Sequence, residues 1–223
     1  MFENAGVSLP IDTWEEFADK GNAMKSAGHS MMPIDAQGAV LFWIMYLQRG
    51  GFLFDESGDF VVDEDKNRNL AVETLRFIKE NIDTEDFLGM NAGDFWGQDS
   101  YAAYQDASLA GVTMPDWYLD LFLKSGAKNM EGQWRVQAPP MWSEGGHRTG
   151  VLGGSGFVIL QNGPNYNTTP DLVWDLLRTS YLSKEGQLLR WEGIHYSPTM
   201  YEAMEDPRFW GTPRPISGRT TNR

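Results

Sequence analysis

The sequence predicts an α/β fold, because helical segments alternate with short runs of β-forming residues. Residues 104–114 combine a helical stretch, a break at Gly111 and a β-forming run, after which Pro115-Asp116 opens a new helix. The run Phe157-Val-Ile-Leu160 is typical of a buried strand, and an amphipathic helix follows from residue 170. Ligands of open α/β sheets bind beyond the carboxyl ends of strands, near helix N-termini. The strand-to-helix junction near residue 115 is therefore a candidate ligand site.

Five elements are predicted in the first part of the chain. They are a helix capped by Asp12 or Thr13 and ended by Gly28, a strand or loop at 29–33, a helix at 37–48, a β-hairpin at 52–62 and a helix at 65–82. The helix at 37–48 is so densely apolar that we expect it to be buried or to line a cleft. The helix at 65–82 is amphipathic, and its predicted inward residues are Leu70, Val72, Leu75, Phe77 and Ile78.

The later elements alternate in the same way. They are a loop at 94–99, a helix ending at Gly111, a helix from 115, a strand at 134–138, a loop at 141–150, the strand at 157–160, a helix with Pro170 at its first position, a helix at 183–191, and a polar, aperiodic arm or tail from Pro207. Trp14 and Trp174 fall on the apolar faces of their helices, so we expect both side chains in the core.

Composition excludes several classes of function. The net charge of −13 makes nucleic acid and acidic membrane surfaces unfavourable partners. The chain has no cysteine, which excludes disulfides, cysteine nucleophiles and thiolate metal sites. No apolar run approaches the length of a membrane helix, and Met1-Phe-Glu-Asn4 does not resemble a signal peptide.

No stretch carries a recognised catalytic or metal-binding motif. The aspartates between positions 55 and 65 lack the spacing of a calcium loop, and the three histidines are far apart. Ser155 precedes a predicted strand, whereas the serine of a nucleophile elbow follows one. We therefore predict no cofactor and no metal. A carbohydrate-active enzyme that uses two carboxylates stays an alternative, since such an enzyme needs only two well-placed acids.

Nine tryptophans are the unusual feature of the composition. An indole face can stack on a sugar ring, because axial C–H groups form an apolar plate, and the indole N–H is a donor. Trp117 is the first candidate for such a contact, since it lies where a β-forming run ends and a helix begins, with Asp116 as the candidate cap. A core residue that anchors the helix is an equally good interpretation of Trp117.

Five segments occur in an order that is characteristic of one protein family. They are Met1-Phe-Glu-Asn-Ala-Gly-Val7 with Pro10 and Thr13-Trp-Glu-Glu-Phe17; Gly50-Gly51 with Leu53-Phe-Asp55 and the hairpin; Tyr104 to Trp117; Trp134 to Pro140 with Gly153-Gly154; and Trp174 to Gln187 with Ser183-Lys-Glu-Gly-Gln187. Over residues 1–205 the chain resembles the extracellular solute-binding proteins of bacterial ABC importers, specifically the sugar-binding group that includes maltose-binding protein. Ala107, Gly111 and Pro115 depart from the family pattern beside Trp117.

The resemblance implies a type II periplasmic-binding-protein-like fold, in which two α/β lobes joined by crossover strands close on a ligand. It implies binding of a monosaccharide or oligosaccharide for uptake by an ABC transporter, without catalysis. The expected partners are the sugar and the membrane permease, and the expected location is periplasmic or extracellular, with a lipid anchor in full-length relatives. Another small solute such as a polyamine, an enzyme, and a protein-interaction module are the alternatives.

The candidate ligand-binding residues combine the residue pattern with the resemblance. Gly153, Gly154 and Ser155 could offer backbone and hydroxyl hydrogen bonds near the crossover. Trp43 is a second stacking candidate, because family members often have a cleft aromatic at this place, although a core position explains it equally well. The full candidate set is Trp117, Trp43, Gly153, Gly154, Ser155, Asp116, Trp96 and Trp142.

Family members are considerably longer than this chain, so the resemblance implies that it is truncated at both ends and covers mainly the second lobe. Residues 1–148 would form most of the second, C-terminal lobe, and residues 149–190 the crossover and return segment to the first lobe. Residues 191–223 would complete the return segment and end in a flexible tail. An isolated lobe would expose apolar cleft surface, through which two copies could dimerise.

Overall fold

The computed structural model describes residues 1–34, 39–81, 89–91, 96–154, 156–161 and 170–211. Within these ranges the chain is mainly helical, and two short strands pair in parallel. The elements are α1 (Trp14–Ser26), β1 (Met32–Ile34), α2 (Val40–Gln48), α3 (Asp65–Asn81), β2 (Gly89–Asn91), α4 (Gln98–Gln105), α5 (Asp116–Tyr118), α6 (Lys124–Gly126), α7 (Pro170–Tyr181), α8 (Lys184–Ile194), α9 (Tyr201–Met204) and α10 (Pro207–Gly211). A π-helical turn, Leu119–Leu123, joins α5 to α6, and a 3₁₀ turn, Lys128–Met130, follows.

The parallel pair is the α/β element of this chain. Met32 pairs with Gly89 and Ile34 with Asn91, and helices α2 and α3 lie between the two strands along the sequence. Parallel neighbours require such a crossover, because the end of the first strand and the start of the second lie at opposite edges of the sheet.

Helix α1 forms as its sequence predicts. The Thr13 side chain accepts a hydrogen bond from the Glu16 amide (3.1 Å), and Glu15 and Glu16 occupy the positive first turn. Gly28, with a φ of +85°, follows the helix and lets the chain turn away. The buried face carries Trp14, Phe17 and Met24, so the prediction of a core position for Trp14 is confirmed.

A buried glutamine connects α1, α2 and the loop after residue 139. Gln48 accepts a hydrogen bond from the Trp14 indole (2.8 Å), and its amide nitrogen donates to the carbonyl oxygens of Pro140 (2.8 Å) and His147 (2.9 Å). Its acceptor and both of its donors are therefore used, which allows an amide to be buried without an unpaired polar atom. The surrounding core contains Val7, Ile11, Trp14, Phe17, Met24, Met31, Met32, Leu41, Met45 and Ala110.

The predicted hairpin and the following helix are both present. Phe54 and Phe60 pair as an antiparallel bridge, and Gly58 has the positive φ that the turn needs. Within α3, however, Val72 and Leu75 are exposed, so their predicted inward positions are wrong. The buried face instead includes Asn67 and Thr74, because Asn67 joins the hairpin through the Phe52 amide and the Val61 carbonyl oxygen.

The segment between α4 and α5 differs from its prediction. The helix ends at Gln105 rather than at Gly111, because Ala107 adopts a left-handed conformation with a φ of +66°. Residues 108–110 then run beside Ser30, through hydrogen bonds from the Ser30 amide to Ser108 and from the Ala110 amide to Ser30. A second core cluster forms here from Ala103, Tyr104, Leu109, Tyr118, Leu123, Ala127 and Met130.

The strands predicted at 134–138 and 157–160 are not formed in the described structure. Phe157, Val158 and Leu160 are exposed rather than buried. A strand is stable only when its backbone groups pair with a neighbouring strand, and no described segment pairs with either run. The apolar run therefore remains irregular.

Helices α7 and α8 pack closely at their junction. Pro170 begins α7 as predicted, and the Ser183 hydroxyl caps α8 by accepting a hydrogen bond from the Gly186 amide (3.0 Å). Gly186 is buried where a Cβ would overlap the carbonyl oxygens of Thr179 and Ser180, so only glycine fits. No residue of α7 is fully buried, and Trp174 is half exposed, so its predicted core position is wrong.

Residues 207–211 form α10, where the sequence predicted an arm or tail. Both terminal nitrogens of Arg208 contact the Glu185 carboxylate at 2.9 Å and attach this helix to α8. Residues 212–223 lie outside the described ranges. None of the described helices is long and apolar enough to cross a membrane.

Candidate binding cleft

An open cleft of about 1330 Å³ lies among four segments of the chain. Its walls come from residues 113–117, from residues 150–154 and 156–159, from α7 and α8, and from the loop at 194–199. Five aromatic side chains contribute, namely Trp117, Phe157, Trp174, Tyr181 and Tyr196. Polar groups stand among them on Thr113, Asp116, Gln187, Arg190, Ser197 and Thr199. Apolar faces with a few placed polar groups are typical of small-molecule sites.

Trp117 lies at the start of α5 and packs on a group of other aromatic rings. Its indole stacks on that of Trp96, with ring centroids 5.6 Å apart and planes 12° from parallel. Trp96 in turn contacts Tyr118 and Phe122 edge to face, at 5.4 and 5.1 Å. Trp117 is half-buried and lines the cleft. Because Trp96 covers one face of the Trp117 indole, this packing fixes the orientation of the ring.

The Asp116 carboxylate is already hydrogen-bonded to the backbone of two cleft segments. One carboxylate oxygen accepts from the Trp117 amide and the other from the Ser197 amide, both at 2.9 Å. Pro115, and not Asp116, occupies the cap position of α5, so the predicted cap role of Asp116 is wrong. Asp116 instead joins the loop at 194–199 to the helix that carries Trp117.

Asp120 makes the second attachment of the same loop. It lies one turn after Asp116, and its carboxylate contacts Nδ1 of His195 at 2.7 Å and the ammonium group of Lys124. His195 has a φ of +55° and ends α8 in the left-handed conformation. Desolvation lowers the pKa of Lys124 from its ordinary value.

Gln187 attaches the far end of the loop to α8. Its side-chain oxygen accepts from the amides of Thr199 (2.8 Å) and Met200 (3.0 Å), and its nitrogen donates to the carbonyl oxygen of Tyr181 (2.8 Å). Gln187 is buried, so these bonds are shielded from water. The loop is thus held at both ends, and Tyr196 lies between the two attachments.

Arg190 lies between two of the cleft aromatics. The centre of its guanidinium is 4.2 Å from the ring centroid of Tyr181 and 5.1 Å from that of Tyr196. Tyr181 is the last residue of α7 and Tyr196 follows the end of α8, so the cation links three segments of the wall.

The structure brings together four of the eight residues predicted for the site. Trp117, Asp116, Gly153 and Gly154 all line the cleft. Gly153 has a φ of +71°, and no atom lies within 4 Å of where a Cβ of Gly154 would be. The backbone is therefore open to close approach there. Trp96 contributes indirectly, as the ring beneath Trp117, and Ser155 lies outside the described residues.

Trp43 and Trp142 are not brought into this cleft. Trp43 packs beside Phe42 and Tyr46 on α2, although its neighbour Ile44 does line the cleft. Trp142 lies against the core, where its indole donates to the Met45 carbonyl oxygen (3.0 Å) and the Arg49 guanidinium covers its ring at 3.7 Å. These contacts already use the polar atom and a face of Trp142.

Several cleft residues have no counterpart in the predicted set. They are Phe157, Trp174, Tyr181, Gln187, Arg190 and Tyr196. The criterion that selected Trp117, an aromatic residue at the end of an element, applies equally to Tyr181 and Tyr196 and would have found them. Trp174 was assigned to the core, because the helical period alone does not separate a core face from a cleft face.

Comparison with known proteins gives a family match over most of the chain. The model of the bacterial extracellular solute-binding protein family matches residues 1–187. An arabinooligosaccharide-binding protein of Halalkalibacterium halodurans is 26% identical over 212 residues, which are 94% of this chain and 46% of that protein. The arabinooligosaccharide-binding protein of Bacillus subtilis is 25% identical over 91% of this chain and 45% of that protein. The chain thus spans about half the length of the curated relatives it matches.

Solved structures of sugar-binding proteins share the fold. Maltose-bound MalE3 of T. maritima superposes with a TM-score of 0.65 at 19% identity, over 94% of this chain and 53% of that one. The GacH receptor of Streptomyces glaucescens gives a TM-score of 0.64 at 17% identity, over 95% and 51%. The type II periplasmic-binding-protein-like fold predicted from the sequence is confirmed.

Proposed function

Because the chain belongs to the bacterial extracellular solute-binding protein family, we propose that it binds a carbohydrate for uptake by an ABC importer and catalyses no reaction. The position of Trp117 carries this proposal. Its indole lines the cleft and rests on Trp96, so a sugar ring can stack on the uncovered face. The names of the two arabinooligosaccharide-binding relatives support an oligosaccharide rather than a single sugar.

The chemistry of the cleft argues against a polyamine. A polyamine needs carboxylates to neutralise its ammonium groups. Asp116 is the single acid among the described lining residues, and both of its oxygens already accept backbone hydrogen bonds. A glycosidase would need a second carboxylate about 5–10 Å from the first. The described lining offers no such partner, so binding without catalysis fits the cleft better.

A fluorescence titration tests the proposal. Tryptophan emission is followed against a panel of arabinose, galactose and glucose oligosaccharides, with the unchanged chain beside Trp117→Ala and Trp210→Ala. Trp210 is the matched control, because it is an exposed indole on α10 that does not line the cleft. We expect a saturable response to at least one sugar, weakened at least about tenfold in Trp117→Ala and unchanged in Trp210→Ala.

Two results would contradict the proposal. One is a folded chain that responds to no sugar in the panel, and the other is equal weakening in both variants. A thermal melt of each variant separates lost binding from lost folding. We expect Trp117→Ala to melt close to the unchanged chain, because its indole is only half-buried.

The wider setting follows the family. We propose an extracellular or periplasmic location and a membrane permease as the partner. The division into most of a C-terminal lobe at 1–148, a return segment at 149–190 and a final segment at 191–223 stays a prediction.

Self-association is a second candidate property, and the exposed face of α7 favours it. Leu172 and Leu176 lie four residues apart on one face of α7 and are 70% and 65% exposed. We propose that two copies of the chain associate through this face, which lies outside the cleft because neither leucine lines it. Dimerisation through the cleft surface itself stays a prediction. Light scattering would show a dimer that Leu172→Glu with Leu176→Glu converts to a monomer, whereas a monomeric unchanged chain would contradict the idea.

A further inference from the structure

The cleft has few charged side chains, and they differ in how far the protein itself already binds them. Among the described lining residues only Asp116 and Arg190 carry a charge. The Asp116 carboxylate is occupied by the amides of Trp117 and Ser197. The Arg190 guanidinium, in contrast, contacts ring faces, and within the described part of the chain it makes no ion pair and donates no hydrogen bond to the protein. It therefore has donors that a ligand could use.

We propose that Arg190 makes this cleft selective for a carbohydrate that carries a carboxylate, such as a chain containing uronic acid. This inference rests on the proposed carbohydrate binding and adds the chemical class of the sugar. A guanidinium presents five N–H donors in a planar fork that matches the two oxygens of a carboxylate. A neutral sugar hydroxyl presents a single uncharged oxygen, so it does not match the two-pronged fork as a carboxylate does.

The two tyrosines make Arg190 suited to this role. A free arginine side chain loses conformational entropy when it is held in one position by a ligand. Contacts with Tyr181 and Tyr196 already restrict the guanidinium in the free protein, so less entropy is lost on binding. Both rings line the cleft themselves, so a sugar ring could pack against them beside the carboxylate contact.

The overall charge of the chain opposes an anionic ligand only weakly. The net charge of −13 repels anions at a distance. At 0.15 M salt, however, exposed charges are screened beyond about 8 Å. A carboxylate in direct contact with a half-buried guanidinium is screened much less, so the local attraction decides the preference.

Calorimetric titration with matched ligand pairs tests the inference. The probes are the disaccharides of galacturonic, glucuronic and mannuronic acid, each beside its uncharged methyl ester, at pH 7 and 0.15 M salt. We expect at least one acid to bind about tenfold or more tightly than its own ester. Arg190→Gln should abolish that difference while ester binding persists.

Two further variants separate the contact from general effects. Arg190→Lys keeps the charge and loses the fork, so it should retain only part of the preference. Arg178→Gln removes an arginine of α7 that pairs with Asp175 and does not line the cleft, so it should behave as the unchanged chain. Thermal melts check that each variant is folded.

The outcomes distinguish this inference from the proposed function. If neutral oligosaccharides or esters bind and no acid binds more tightly, selection by Arg190 is wrong and carbohydrate binding stands. An unaltered preference in Arg190→Gln also overturns the role of Arg190. If no sugar of any kind binds to the folded chain, both proposals fail.

Discussion

Helices α1 and α7 have the same type of sequence and different surroundings. Each begins with a good N-terminal signal, carries a tryptophan on an apolar face and has at least one acidic residue in its first turn. Trp14 of α1 is 1% exposed, whereas Trp174 of α7 is 50% exposed. An amphipathic period therefore predicts which face of a helix is apolar, but it does not predict what that face contacts.

The partners of the two faces explain the difference. Trp14 packs against Phe17, Phe77 and Trp142, and its indole N–H is bound by Gln48. Phe17 is a neighbour on the same helix, but Gln48, Phe77 and Trp142 are distant from it in sequence and converge on Trp14 only in the folded chain. Around Trp174 the described structure leaves an open cleft. A face that lacks a packing partner in its own chain is available for a ligand or a second molecule.

The largest predicted effect is a contrast between the two tryptophans. Trp14→Ala removes a buried ring and leaves the side-chain oxygen of Gln48 without its donor, so we expect the free energy of unfolding to fall by about 3–5 kcal/mol. Trp174→Ala removes a half-exposed ring and should lower it by less than about 1 kcal/mol. Urea unfolding followed by circular dichroism measures both. Equal losses would mean that the Trp174 side chain is buried in solution, which would contradict the contrast between α1 and α7.

Two buried glutamines, one in the core beside α1 and one beside the cleft, provide a second test of the difference between these regions. Gln48→Ala leaves the Trp14 indole and two carbonyl groups unpaired in the core, and we expect a loss of about 2–3 kcal/mol. Gln187→Ala leaves the Thr199 and Met200 amides unpaired. Because Gln187 lines the cleft, water can enter the space that the shortened side chain leaves and replace part of the lost bonds. The expected loss there is about 1–2 kcal/mol. The same urea experiment compares them, and a larger loss for Gln187→Ala would reverse the ranking of the two regions.

A glycine pair on α8 tests how tightly the α7–α8 junction is packed. Gly186→Ala places a methyl group against the carbonyl oxygens of Thr179 and Ser180 and should destabilise by about 1–3 kcal/mol. Gly193→Ala, on the same helix, meets no atom within 4 Å and should be neutral or stabilising by up to about 1 kcal/mol. Thermal melts compare the variants. If both melt alike, the junction is looser than the structure indicates.

The smallest expected effect concerns acid and the attachment of α10. A hydrogen bond from the Lys184 ammonium group is the main cause that holds the pKa of Asp206 below its ordinary value, and hydrogen bonds from Arg208 add to it. Arg208 likewise lowers the pKa of Glu185. Because both pKa values are depressed on folding, the attachment is complete above the unfolded values, about 3.9 for Asp and 4.3 for Glu. It is lost as pH falls through the folded values. Pepsin is active at acid pH, and its cleavage beside Phe209 should thus increase in the unchanged chain below about pH 4. In Arg208→Gln, α10 is already loose, so the same cleavage should be fast throughout the pH range tested. Cleavage independent of pH in the unchanged chain would contradict this role.

Much of the fold was predictable because local chemistry determines it. The Thr13 and Ser183 caps, the Gly58 turn, and Pro170 at the start of α7 depend on atoms only a few residues apart. The predictions that are wrong depend on distant partners. The run at 157–160 has the composition of a buried strand but no described neighbour to pair with, and Ala107 ends α4 because residues 108–110 must run beside Ser30.

The candidate site divides in the same way. Trp117 and the glycines at 153–154 could be selected from the sequence, because an aromatic residue at an element boundary and a flexible backbone are local features. Arg190 could not be selected, since one charged residue on a helix usually faces solvent. Its significance comes from Tyr181 and Tyr196, which are brought beside it by the α7–α8 turn and by the loop held on Asp116 and Gln187.

The family, most of the helices and turns, and the stretch that contains Trp117 could be predicted from the sequence. These follow from short-range rules of capping, periodicity and turn conformation, and from the order of motifs along the chain. The tertiary structure alone decided which apolar faces are core and which are cleft, and which polar groups are already bound. Burial and hydrogen-bond partners are properties of pairs of distant residues, and a linear pattern does not specify those pairs.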